Sequence, residues 1–420
     1  MKLHIKNFRS IKQLDLEIAP ITVLYGHNGT GKSSALYAPL TMKNIVTNPN
    51  QHVQEFFNYV FASLGTFQEV VFDHDTNSQL ELGISLQAFF RSPNPEDYIP
   101  DAFEVNYNVT FLNDNSGSLE LRISGYDEIA DREYQMMNLK RIVAFPEREK
   151  SATLLRLGQT DRIFEWSGTS INEITLSSVD GLPDDRLQSV SGETKEMIDS
   201  PLEILRRVSF VPLGRGFFHP SYSLQEVSPM IATEQEVTSM LAGDEYLEYK
   251  ISRFMEQILN RDFRVRNRIG SNNFSLNSVD RRTGMGASLV NEGFGVNQLV
   301  FMFAKTLHPD AGIVCIEEPE IHLHPSAIRR LARALADIVR EEPSKHLIIS
   351  THSKQFIMSL LALVAEGTHS PNDLAVYLVT KDEKASEFHR QQVNEKGQIE
   401  GGFASFIEGE LEDMKAFLGV

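Results

Sequence analysis

A chain of 420 residues, 41% of them hydrophobic, is long enough for a large core and for more than one lobe. The single cysteine, Cys315, excludes an internal disulfide and a paired-cysteine zinc site, and it suits a reducing cytosol. A formal net charge of −17 excludes nucleic-acid binding through the overall field and argues against a polybasic membrane anchor, so any DNA contact needs a local basic patch.

The opening MKLHIKNFRS has no apolar run after Lys2 and Lys6, so no secretory signal is expected. KLHIKNF, QLDLEI and ITVLYG alternate as three short strands, and a helix is expected after the glycine turn that follows. DAFEVNYNVTFL places Phe103, Val105, Tyr107, Val109 and Phe111 on one face; NDNSGS supplies turn chemistry and LELRIS alternates again, which predicts a β-hairpin. From Pro183 to Asn260 the pattern is mostly helical, with interruptions at Pro212, Pro229 and Gly243. GIVCIEEP then predicts a buried strand. PSAIRRLARALADIVRE predicts an amphipathic helix with Ile328, Leu331, Leu335, Ile338 and Val339 on one face. KHLIISTHS predicts a second buried strand with a helix after it, and LAVYLVTK and SEFHRQQV a closing hairpin. FIMSLLALVA (356–365) is too short to span a bilayer, so a cytoplasmic protein without a membrane partner is expected. Strand, helix, strand, helix at this spacing implies an α/β fold with a parallel sheet in the C-terminal part.

Gly26-x-x-x-x-Gly31-Lys32-Ser33 follows a strand and precedes a helix, the context a P-loop requires. Glycines let successive N–H groups point inward at phosphate oxygens; Lys32 reaches the β- and γ-phosphates and Ser33 ligates Mg²⁺. Glu317 and Glu318 stand at the C-terminal end of a buried strand, where open α/β sheets hold ligands. The first suits a Mg²⁺ shell and the second the activation of an attacking water. His352, just past the next buried strand, is a candidate contact to a γ-phosphate.

Together with GFGVNQL (293–299), EEPEIHLHP (317–325) and STHS (350–353), these motifs resemble the ABC-type ATPases of the RecF, SMC and OLD group. The likeness covers about the first 35 and the last 130 residues; the closing GGFASFIEGELEDMKAFL is similar to the tail of stand-alone ATPases of that group. The resemblance implies an ABC-ATPase head with a P-loop core sheet, an antiparallel β subdomain and a helical insertion. Residues 1–75 and 261–420 are then the two parts of the ATPase core, and 76–260 the insertion.

By the same resemblance, Gly26, His27, Asn28, Gly29, Thr30, Gly31, Lys32, Ser33 and Ser34 bind the phosphates of ATP, and Ser33, Glu317 and Gln68 bind Mg²⁺. Glu318 and His352 are the catalytic acid and the switch histidine, and Glu320 to Pro325 pass between protomers. Gly293, Gly295 and Asn297 reach the nucleotide of a second copy in an ATP-induced homodimer. Two departures stand out. Glu317 is one methylene longer than the usual aspartate, and Phe294 occupies the place of the signature serine, so slow hydrolysis is expected. Arg215, in a glycine-flanked loop, is a candidate either to face the nucleotide or to lie on the surface. Arg264, Arg266 and Arg268 alternate with apolar residues and form a candidate DNA surface. A protein effector is the alternative partner. The stretch after His352 contains no Asp-x-Asp pair, so intrinsic nuclease chemistry is not expected.

Overall fold

Every residue of ITVLY (Ile21–Tyr25) and IVCIE (Ile313–Glu317) is buried, as strands covered on both faces require. The computed structural model describes residues 1–89, 102–113, 115–127, 132–146, 152–157, 162–174, 187–267, 273–400 and 402. Arg268 and the closing stretch singled out above, Gly402 excepted, lie outside the described residues.

The chain divides into two units, 1–17 with 38–207 and 18–37 with 208–420. The second unit holds a six-stranded sheet in the order Val208–Val211, Ile313–Glu317, His346–Thr351, Ile21–Tyr25, Leu374–Asp382, Ala385–Gln391. The first five run parallel and the last closes antiparallel, as the predicted terminal hairpin. Register pairs Glu317 with Ser350 and Thr351 with Tyr25. The residues just beyond these ends, Gly26, Glu318 and His352, therefore emerge along one edge of the sheet.

The helices that follow the strands begin where the sequence supplies caps. His324 accepts from Ser326 N–H, with Pro325 opening the helix Pro325–Glu341. Ser353 caps Lys354–Ala365 by accepting from Phe356 N–H. The predicted apolar stripe is buried, Leu331 and Leu335 completely; each such leucine contributes about 1.5–3 kcal/mol. A smaller antiparallel sheet (Arg261–Asn267, Asn273–Asp280, Gly286–Ser288, Tyr222–Ser223) packs on the helix Glu245–Leu259.

The first unit contains an antiparallel sheet in the order Ile11–Glu17, Lys2–Phe8, Leu80–Phe89, Ala102–Phe111, Ser116–Asp127, Arg132–Ala144. The predicted hairpin lies in its middle, with Phe103, Val105, Tyr107, Val109 and Phe111 all buried. The Tyr107 hydroxyl donates to Gly168 O at 2.9 Å, beside a second sheet that includes Ile163–Trp166.

The opening hairpin pairs into the antiparallel sheet of the first unit, and the two units divide near 17, 37 and 207 rather than at the expected cuts of 75 and 260. The region 183–260, expected to be mostly helical, contains the helices Gly192–Arg206, Glu234–Gly243 and Glu245–Leu259, with the core strand Val208–Val211 just before the loop of Arg215. Among the described residues no helix is long and apolar enough to cross a membrane.

Candidate active site

The turn after Tyr25 is shaped by glycine. Gly26 has φ +143°, and a Cβ there would stand 2.2 Å from the Val379 carbonyl oxygen. His27, Asn28 and Gly29 are exposed, while Thr30, Lys32 and Ser34 are buried and Gly31 and Ser33 are half-buried. The Thr30 hydroxyl donates to His27 O at 2.9 Å. Lys32 opens the helix Lys32–Thr47, whose first turn has no acidic residue. Its Nζ turns back into the loop and donates to Gly26 O (2.9 Å) and His27 O (2.6 Å). Burial pulls this ammonium down to about 8, against the opposing effect of Glu318 and Glu320. A buried cation in a curled loop at the positive end of a helix is a donor set suited to phosphate.

The carboxylates take three different roles. Glu317 is buried, and its Oε2 accepts from Leu213 N–H at 3.1 Å. Glu318 sits in the left-handed region at φ +39°, its N–H donating to Ser350 O at 2.9 Å. Its Oε1 is 3.3 Å from His352 Nε2. Burial, and then the Lys32 charge, hold the His352 imidazole below its ordinary value, so it is neutral at neutral pH. Glu320 faces inward: its Oε1 accepts from the Thr351 hydroxyl (2.6 Å) and from His352 N–H (3.0 Å). Burial raises its carboxyl above the usual range. The structure thus brings together Gly26, Lys32, Glu318 and His352, with Glu320 bracing the histidine backbone.

Arg215 and Asn297 require correction. Arg215, read as facing either nucleotide or solvent, does neither: it is 3% exposed. It donates to the backbone oxygens of Pro212 (3.0 Å), Glu317 (2.6 Å) and Glu318 (2.8 Å). Asn297 is not free for a second copy either. Its Oδ1 accepts from Phe217 N–H (2.7 Å), and its Nδ2 donates to Phe217 O (2.8 Å) and Leu289 O (3.0 Å). Asn297→Ala takes away the partner of Phe217 N–H and of Phe217 O, while Leu289 O keeps Glu292 N–H at 3.2 Å, and it is expected to cost about 2–4 kcal/mol, read as a lower urea midpoint.

Gly293 precedes the helix Phe294–Leu307 as its N-cap, and no side chain caps it. Phe294 is 62% exposed, with the His322 ring at 5.6 Å. Gly295 is needed because a Cβ there would meet His322 O at 2.8 Å. Gln68 belongs to the other unit, where it is exposed on the short helix Phe67–Val70. In the basic row, Arg264 is already matched by Asp262 (2.6 Å) and Glu248 (3.6 Å), and Arg266 is exposed. Glu320, expected in the stretch that passes between protomers, instead bonds Thr351 and His352 N–H, and nothing local in the sequence marks Thr351 or the Leu213 N–H.

The family described as the AAA ATPase domain matches residues 1–142 and 218–357. The chain belongs to this family. The AAA ATPase domain is also similar to the OLD nuclease of Thermus scotoductus (strain ATCC 700910 / SA-01), at 22% identity over 369 residues. That alignment covers 84% of this chain and spans 59% of the relative's length. Among solved structures, a Pyrococcus furiosus Smc head with an extended coiled coil, bound to the C-terminal domain of ScpA, covers 99% of this chain and 98% of its own. Its identity is 12% and its TM-score 0.45. The SMC head of Thermotoga maritima gives 12% and 0.38, covering 93% of this chain and 97% of its own. The placement of this AAA ATPase domain in the ABC-type RecF, SMC and OLD group stands on the family match together with the OLD relative.

Proposed function

We propose that the chain binds and hydrolyses ATP and acts as a switch that dimerises on ATP. The observation that carries this reading is the placement of Lys32, bonded to Gly26 O, and of the Glu318–His352 pair beyond the ends of adjacent parallel strands. Lys32 takes the phosphate oxygens in place of its two loop carbonyls. Ser33 and Glu317 would hold Mg²⁺, which neutralises phosphate charge when bound. Glu318 accepts the proton of the attacking water, and the neutral His352 turns its one N–H from the Glu318 carboxylate to the γ-phosphate once ATP is bound. The exposed tip Gly293–Phe294–Gly295 meets the nucleotide of a second copy. Such a switch serves a DNA transaction, repair or anti-phage defence, or it controls a protein effector. The matching of Arg264 by two carboxylates weighs for the effector, because it removes a free cation from the candidate DNA row. Phosphate release from ATP by the wild type, absent in Glu318→Gln, is the test.

The Lys32 ammonium gives the site a pH dependence. In the free protein it titrates near pH 8; phosphate oxygens raise that value in the complex. Below about pH 7 Lys32 is charged in both states, and binding takes up no proton. Above about pH 8 the free site is largely neutral, so binding takes up a proton and ATP affinity falls as pH rises. Calorimetry near pH 9 in two buffers of different ionisation heat is expected to report an uptake approaching one proton.

A further inference from the structure

The loop Pro212–Phe217 leaves the core strand Val208–Val211 and touches two parts of the site. On one side Leu213 N–H donates to the Glu317 carboxylate at 3.1 Å. Arg215 then bridges successive peptides, giving Nη1 to Glu317 O (2.6 Å) and Nη2 to Glu318 O (2.8 Å). A planar guanidinium that spans two carbonyls fixes the orientation of both peptide planes. Those planes set the direction in which Glu318 leaves a backbone held at φ +39°. On the other side, Gly216 has φ +142°, and a Cβ there would stand 2.9 Å from Asn297 Oδ1. Phe217 exchanges both backbone groups with the Asn297 amide, on the first turn of the helix whose tip carries Phe294.

We infer that Arg215 is a positioning residue for Glu318, and that the loop Pro212–Phe217 carries the position of the Phe294–Leu307 helix to that carboxylate. The inference rests on the reading of Glu318 as the base for ATP hydrolysis. Arg215 touches no reacting atom and acts through the backbone of the residue that does. Its acceptors are carbonyls rather than carboxylates, so it leaves the charge of Glu318 available for the water. A movement of the helix tip reaches Glu318 through Asn297, Phe217 and Arg215, each hydrogen-bonded to the next or joined to it by the chain.

The test compares turnover with binding. Arg215→Lys keeps the charge but cannot span two carbonyls. It is expected to lower kcat by about tenfold or more with KM for ATP within about twofold. Gly216→Ala presses on Asn297 and is expected to do the same while calorimetry finds unchanged ATP affinity. Near-UV circular dichroism checks the fold, and if Arg215→Lys does not fold, Gly216→Ala decides. Adding Arg215→Lys to Glu318→Gln is expected to cause no further loss, because both act through one carboxylate. Wild-type kcat in the folded variants overturns the inference, as does an equal loss of kcat and ATP affinity. Glu318→Gln alone separates the two levels. If that variant turns over like wild type, the reading of Glu318 fails. If it stalls while Arg215→Lys and Gly216→Ala remain active, only the positioning role fails.

Discussion

Lys32→Ala is expected to lose ATP binding while keeping its fold. In the free protein the Lys32 ammonium has two loop carbonyls as acceptors, Gly26 O and His27 O, and both are neutral groups. Phosphate oxygens are charged acceptors, and a charge-assisted bond contributes about 1.5–3 kcal/mol. Losing two of them predicts a fall in affinity of about a hundredfold or more. The folded state gains little from the ammonium itself, since burial already lowers its pKa towards 8. Its melting temperature should therefore be equal to that of the wild type or slightly higher. Titration calorimetry and a thermal melt on the same preparation check both halves. A folded variant that binds ATP like the wild type would remove Lys32 from the phosphate site.

How far the site could be read from sequence depended on the length scale of each cause. The glycine turn and the runs ITVLY and IVCIE are local patterns, and each residue states its own requirement: room at Gly26, burial on both faces in the strands. The cap at Ser353 and the stripe through Leu331 and Leu335 are legible for the same reason. Partnership is not local. The alternation in KLHIKNF marks a strand with one face buried but does not name its neighbour, and pairing with Leu80–Phe89 decides it. Arg215 shows a charge between glycines, which usually means exposure; only the fold brings the carbonyls of Glu317 and Glu318 to it. Asn297 stands in a motif that suggested a ligand contact, yet its amide is consumed by Leu289 and by Phe217, 80 residues away in the chain.

Glu318→Gln is expected to bind ATP, to stall before hydrolysis and to accumulate as a dimer. Glutamine keeps the shape of the side chain and its hydrogen-bonding capacity, but it cannot take the proton from water. Loss of a general base typically lowers the rate by about two to four orders of magnitude. The surrounding geometry is favourable to this substitution: the contact with His352 Nε2 at 3.3 Å can be kept by an amide, and the backbone at φ +39° is held by Ser350 and Arg215 whatever the side chain. Binding should thus survive where turnover does not. If ATP joins two copies, a protein that cannot cleave it stays joined, and light scattering after gel filtration should give twice the monomer mass with ATP and Mg²⁺ but not with ADP. Phe294 sharpens the result. It is 62% exposed and offers a ring where a hydroxyl was expected, so a dimer that forms must hold its nucleotide through the Gly293–Gly295 backbone and ring contact. Phe294→Ala in the stalled background should then weaken the dimer without restoring hydrolysis. Hydrolysis by Glu318→Gln at the wild-type rate would exclude Glu318 as the base. A stalled protein with the same mass in ATP and ADP would leave the chemistry intact and place the switch within a single chain.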